Sequence, residues 1–204
     1  MTLDFDHIFV EGKSDLPVLL LLHGTGGDEH DLLDLARQVA PGYSYLAPRG
    51  KVLENGMPRF FRRLAEGVFD LEDLQIRTKE LADFISAART TYNLGGRPII
   101  ALGFSNGANI AASLLLSDLS TLDSAILLRA MTPFKPDKAI DLNGKKILML
   151  SGLMDQIIPV ENANNLANIL KSNGADLDFR MKPATHGLTQ SDVGDMKSWL
   201  ADLS

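Results

Sequence analysis

Along the chain, short uninterrupted apolar runs alternate with longer stretches in which apolar residues return every three or four positions. The first kind reads as strands buried on both faces, the second as helices with one buried stripe. Strands are expected at 17–22, 43–47, 98–103, 124–128, 146–151 and 177–181. Helices are expected at 31–40, 71–92, 106–116, 162–171 and 189–203. In the longest helix Leu71, Leu74, Leu81, Phe84, Ile85, Ala88 and Tyr92 recur at helical spacing, with Asp70 as its N-cap. Asn93-Leu94-Gly95-Gly96 closes that helix, and Thr189 and Asp192 are spaced like a capping box for the last one. Residues 49–69 form the longest piece without a clear period and read as an irregular loop. The alternation predicts an α/β fold: a mostly parallel central sheet with helices on both faces, in one domain spanning 1–204.

Composition narrows the chemistry. The formal net charge of −6 gives no general basic face for nucleic acid. With no cysteine, disulfides, thiolate metal sites and cysteine nucleophiles are all excluded. The apolar run at 18–22 is too short to span a bilayer, and the first ten residues do not read as a signal peptide. The expectation is a cytoplasmic protein, monomeric or homodimeric, with neither nucleic-acid nor membrane partners.

Gly103-Phe104-Ser105-Asn106-Gly107 matches G-x-S-x-G between an expected strand and an expected helix. That is the setting of a nucleophile elbow, where glycines avoid Cβ clashes around a strained serine. In the α/β-hydrolase fold the acid and then the histidine follow the serine in the chain. Of the four histidines, only His186 comes after Ser105. The acidic candidates between them are Asp118, Asp123, Asp137, Asp141, Asp155, Asp176 and Asp178. Asp155 alone follows a buried strand closely. An oxyanion hole needs the N–H of the residue after the serine, Asn106, and one from the loop after the first long strand. In His23-Gly24-Thr25-Gly26-Gly27 the Thr25 N–H is the first choice and Gly26 the second, with His23 bracing the loop.

The 49–69 loop follows a strand end and should border the site. Phe60 and Phe61 either line an acyl pocket or pack the loop onto the sheet. Met154 and Ile157, beside Asp155, complete the expected pocket, together with Arg59. The cluster Arg59, Arg62 and Arg63 reads as a solvated basic face, with attraction of an acidic substrate as the alternative. Gly12-Lys13-Ser14 lacks the first glycine of a phosphate loop, and Gly24-Thr25-Gly26-Gly27 lacks the third glycine of a dinucleotide fingerprint. His23, Asp28, His30 and Asp31 read as loop and cap residues, so neither a metal nor a cofactor is expected.

The stretch from Leu22 to Leu32, LHGTGGDEHDL, resembles the oxyanion loop of small bacterial carboxylesterases of the phospholipase/carboxylesterase group, relatives of acyl-protein thioesterases and dienelactone hydrolases. GMPRFFRR at 56–63 and GFSNGAN at 103–109 resemble the MhqD- or YahD-type hydrolases of that group. The resemblance implies a compact α/β-hydrolase without a large cap domain, acting on small carboxylic esters. It carries over Ser105, Asp155 and His186 as a triad, and Thr25 and Asn106 as oxyanion donors. Acyl-thioesterase or lysophospholipase activity is the alternative within enzymes, and a non-catalytic small-molecule sensor the alternative outside them. Dienelactone hydrolases use a cysteine nucleophile, which this chain lacks. Relatives often carry Gly-His and then a polar residue where this chain has Thr185-His186-Gly187.

Overall fold

The computed structural model describes residues 3–117, 119 and 121–203. Asp118, one of the acidic candidates, lies outside them. In chain order the elements begin with β1 (His7–Val10), β2 (Val18–Leu22), α1 (Leu33–Val39) and β3 (Ser44–Pro48). Two hairpins follow, β4 (Val52–Glu54) with β5 (Met57–Arg59), and β6 (Arg63–Ala65) with β7 (Val68–Phe69). Then come α2 (Leu71–Thr91), β8 (Ile99–Phe104), α3 (Asn106–Leu116), β9 (Ser124–Leu128) and β10 (Lys146–Gly152). The chain closes with α4 (Val160–Ser172), β11 (Asp176–Lys182) and α5 (Gln190–Ala201).

The main sheet has the order β1-β3-β2-β8-β9-β10-β11. All its pairings are parallel except β1 with β3. The unbroken apolar strands are explained by burial on both faces. In β2, Val18, Leu20 and Leu22 pack with α2, α3 and α4, while Leu19 and Leu21 pack with α1 and α5. In β10 the same alternation sends Ile147 and Met149 one way and Leu148 and Leu150 the other. Strand order turns back between β2 and β8, so the loops leaving their C-terminal ends diverge and open a crevice.

The capping signals act as read. The Asp70 carboxylate accepts the Asp73 N–H at 3.1 Å, Asn93 turns the chain with φ 49°, and Thr189 and Asp192 form a reciprocal capping box. Two expectations need correction. The edge strand β1 adds to the expected strands; its three consecutive apolar residues, Ile8 to Val10, are too short a run to be assigned from local pattern. Residues 49–69 are not irregular. At the first hairpin Asn55 and Gly56 take φ 52° and 81°, the paired left-handed geometry of a two-residue turn that suits twisted strands. No helix of the described residues is long and apolar enough to cross a membrane.

Helix α3 lies against β2 at a distance that only glycine allows. A Cβ at Gly107 would stand 1.9 Å from the Leu22 carbonyl oxygen, which is backbone and cannot rotate away. Gly107→Ala is expected to cost about 3 kcal/mol or more of unfolding free energy in a urea titration, at the upper end for overpacking.

Candidate active site

Strand β8 ends at Phe104 and α3 begins at Asn106, so one residue turns the chain from strand to helix. That residue, Ser105, takes φ 52° and ψ −113°, a conformation unfavourable for any side chain. It is held by its neighbours: its N–H donates to the Leu128 carbonyl and its carbonyl accepts the Asn109 N–H, both at 2.9 Å. A Cβ at Gly103 would fall 2.6 Å from the Gly107 carbonyl oxygen, so both motif glycines are required by backbone contact.

The hydroxyl of Ser105 lies 3.0 Å from His186 Nε2, and His186 Nδ1 lies 2.8 Å from Asp155 Oδ2. Facing a carboxylate, Nδ1 carries the proton, which leaves Nε2 free to accept from the serine. The other Asp155 oxygen accepts the N–H groups of Ile157 at 2.9 Å and Ile158 at 3.0 Å. The acidic loop is brought to the histidine loop by an extension of the β10–β11 ladder. Leu153 N–H donates to the Lys182 carbonyl at 2.7 Å and Met154 N–H to the Ala184 carbonyl at 3.0 Å. Gly152 permits this, since a Cβ there would sit 2.3 Å from the Ala184 oxygen.

Across the serine lies the 23–27 loop. His23 is buried, its Nδ1–H donates to the Gly24 carbonyl at 2.7 Å, and its Nε2 accepts the Gly50 N–H at 2.9 Å. The bracing role therefore needs a neutral ring, and burial, the largest influence, pushes its pKa below the usual histidine value. Gly26 N–H is spent on the Pro58 carbonyl at 3.0 Å, whereas Thr25 N–H makes no hydrogen bond among the described residues. Of the two candidate N–H groups, Thr25 is therefore the one without a backbone partner among the described residues. The segment 58–60 touches both expected donors' residues: Arg59 donates to Thr25 Oγ1 at 2.7 Å, and Phe60 N–H donates to Asn106 Oδ1 at 2.8 Å.

A cavity of about 320 Å³ opens over Ser105, lined among others by Thr25, Arg59, Arg63, Asn106, Ile157 and His186. Phe60 and Phe61 do not line it. Phe60 packs on the His23 ring at 4.7 Å and Phe61 meets Phe69 edge-on at 5.1 Å, both buried in the core, so the packing alternative is the observed one. Met154 is exposed and also outside the lining. The solvated basic face needs a second correction. Arg59 is only 3% exposed and shares Glu54 with Arg63, at 3.3 and 2.9 Å, because the hairpin folds it inward. Arg62 alone is outward and pairs with Asp70. Sequence reasoning passed over Phe104, whose ring lies 5.4 Å from that of His186, and Asn109, which lines the cavity and accepts Met131 N–H at 2.7 Å. Of the loop residues weighed as ligands, Asp28 and His30 lie close together with Glu29, but both Glu29 oxygens are engaged by Arg49 at 2.5 and 2.6 Å.

Comparison with known proteins gives a consistent picture. The model of the phospholipase/carboxylesterase family matches residues 5–204. MhqD of Bacillus subtilis (strain 168), named as a proposed hydrolase, is 46% identical over 193 residues, spanning 95% of this chain and 96% of that one. A Bacillus cereus carboxylesterase structure superposes with a TM-score of 0.94 at 44% identity, covering 97% of this chain and 93% of its own. YahD, solved with malic acid, superposes at 0.92 with 34% identity, covering 97% and 98%.

His23 supplies a pH test. Its folded pKa is lowered, so between that value and about 6.5 the unfolded chain binds the extra proton and stability falls as pH drops. The depressed carboxylates Glu29, Glu54 and Asp192 act at lower pH, nearer 4. Melting temperature should therefore decline from pH 7 to 5, and His23→Gln, whose amide oxygen can still accept from Gly50, should flatten that part of the curve.

Proposed function

The chain belongs to the phospholipase/carboxylesterase family, and from that premise we propose that it is a one-domain serine esterase cleaving small carboxylic esters through an acyl-enzyme. One observation carries the reading: the unbroken hydrogen-bonded row Ser105–His186–Asp155, at 3.0 and 2.8 Å, with Ser105 and His186 lining the cavity. Ser105 Oγ attacks the carbonyl carbon while His186 Nε2 takes its proton, and the Asp155 carboxylate stabilises the imidazolium that forms. The Thr25 and Asn106 N–H groups receive the oxyanion. Two preorganised donors of this kind contribute several kcal/mol to the transition state. His186 then protonates the departing alcohol, and later activates the water that releases the acid.

Ser105→Ala is expected to abolish p-nitrophenyl acetate turnover and labelling by a fluorophosphonate probe, with the fold intact by circular dichroism. Turnover at a comparable rate in that variant would defeat the assignment, and a wild-type chain that the probe fails to label would favour the sensor reading.

The cavity of about 320 Å³ suits short acyl groups better than long ones. Its wall sets Arg59 and Arg63 against a shared Glu54, with Glu66 at the exposed rim, and YahD was solved with malic acid. The partly exposed Arg63 on this wall and the malic acid of that neighbour support esters that carry a free carboxylate. In a substrate series, kcat/KM should fall with acyl length. It should also be higher for carboxylate-bearing esters at low salt, with the advantage shrinking as salt rises. A preference for long chains would move the reading to the thioesterase or lysophospholipase alternative.

A further inference from the structure

Strand β9 ends at Leu128, beside the strand that delivers Ser105. The next residue, Arg129, takes φ 53°, a left-handed conformation that arginine seldom adopts. Ser105 has nearly the same φ, so adjacent strands β8 and β9 are each followed by a non-glycine residue of positive φ. The Arg129 N–H donates to the Leu150 carbonyl at 2.9 Å, and the side chain is fully buried.

An arginine side chain has five N–H donors in a fixed plane. Here five acceptors meet them. Nε donates to the Thr185 carbonyl at 3.1 Å and Nη2 to the Gly187 carbonyl at 3.0 Å. Nη1 donates to the Leu150 carbonyl at 3.1 Å, and the two Nη atoms grip Asp192 at 3.3 and 2.7 Å. The residues on either side of His186 are thus fastened by one guanidinium. Its counter-ion, Asp192, is equally buried and also accepts the Thr189 N–H at 2.7 Å, starting α5. Arg129 does not line the cavity, so it reaches the chemistry only through His186.

We propose that Arg129 is the positioning residue of the general base: by bracketing Thr185 and Gly187 it sets the His186 ring between Ser105 and Asp155. The proposal rests on the triad reading above. A lysine has three donors on one nitrogen at the end of a flexible stem and cannot meet all five acceptors.

Two variants test it. Arg129→Lys keeps the charge. The double variant Arg129→Met/Asp192→Asn removes both buried charges while leaving an acceptor for Thr189. In either, kcat for p-nitrophenyl acetate should drop about tenfold or more with KM little changed, as for a misplaced catalytic group. The downfield proton resonance of the His186 Nδ1–H, identified by its absence in His186→Ala, should broaden or vanish. Cooperative melting in both measures the folded fraction. Wild-type kcat with the resonance retained overturns the proposal. So does a fall in kcat that only tracks lost folded protein, with the resonance intact in the remainder. Turnover surviving in Ser105→Ala would instead overturn the triad reading beneath it.

Discussion

Everything at this site depends on a backbone approach that leaves no room for a side chain. For one residue to turn β8 into α3, the helix must start hard against the end of β2, where Gly107 meets the Leu22 carbonyl. Given that contact, Ser105 is forced into a strained conformation and its hydroxyl is lifted off the sheet edge. The strain is sustained by the surrounding packing, because β8 and β2 lie in the middle of a sheet covered on both faces.

Around this fixed point the two functional loops are held by different means. On one side the hairpin segment 58–60 ties down the Thr25 loop and the Asn106 side chain with a backbone carbonyl, a guanidinium and a backbone N–H. On the other, the extended β10–β11 ladder and Arg129 hold Asp155 and His186 in register. Both arrangements use a buried arginine paired with a carboxylate, Glu54 (shared with Arg63) for Arg59 and Asp192 for Arg129. Satisfied in this way, a buried cation organises several carbonyl and hydroxyl oxygens at once; unsatisfied, it would be costly. The cavity between the two sides is therefore walled by groups that are already placed before substrate arrives, the condition for electrostatic preorganisation.

Much of this was legible in the chain. The strands buried on both faces, the long helix α2 between Asp70 and Asn93 and the capping box at Thr189 follow from local pattern, because period, caps and turn residues act over a few positions. Ser105, His186 and Asp155 could be named from a motif, from chain order and from the scarcity of histidine. What local pattern could not supply was pairing over long separations. The edge strand β1 is recognisable only once β3 lies beside it. Arg59 reads as a surface charge until the hairpin at Asn55-Gly56 turns it onto Thr25, and Phe60 and Phe61 read equally as pocket or as packing residues until the same hairpin sends them into the core. Arg129 stands in the chain as an arginine after an apolar run, and its five acceptors come from three segments that meet only in the folded protein. The sequence by itself determined which residues are candidates for the chemistry and which strand ends present them. Tertiary structure alone decided which buried charges hold those residues in place, since burial and partner choice are properties of the packed chain and not of any local stretch.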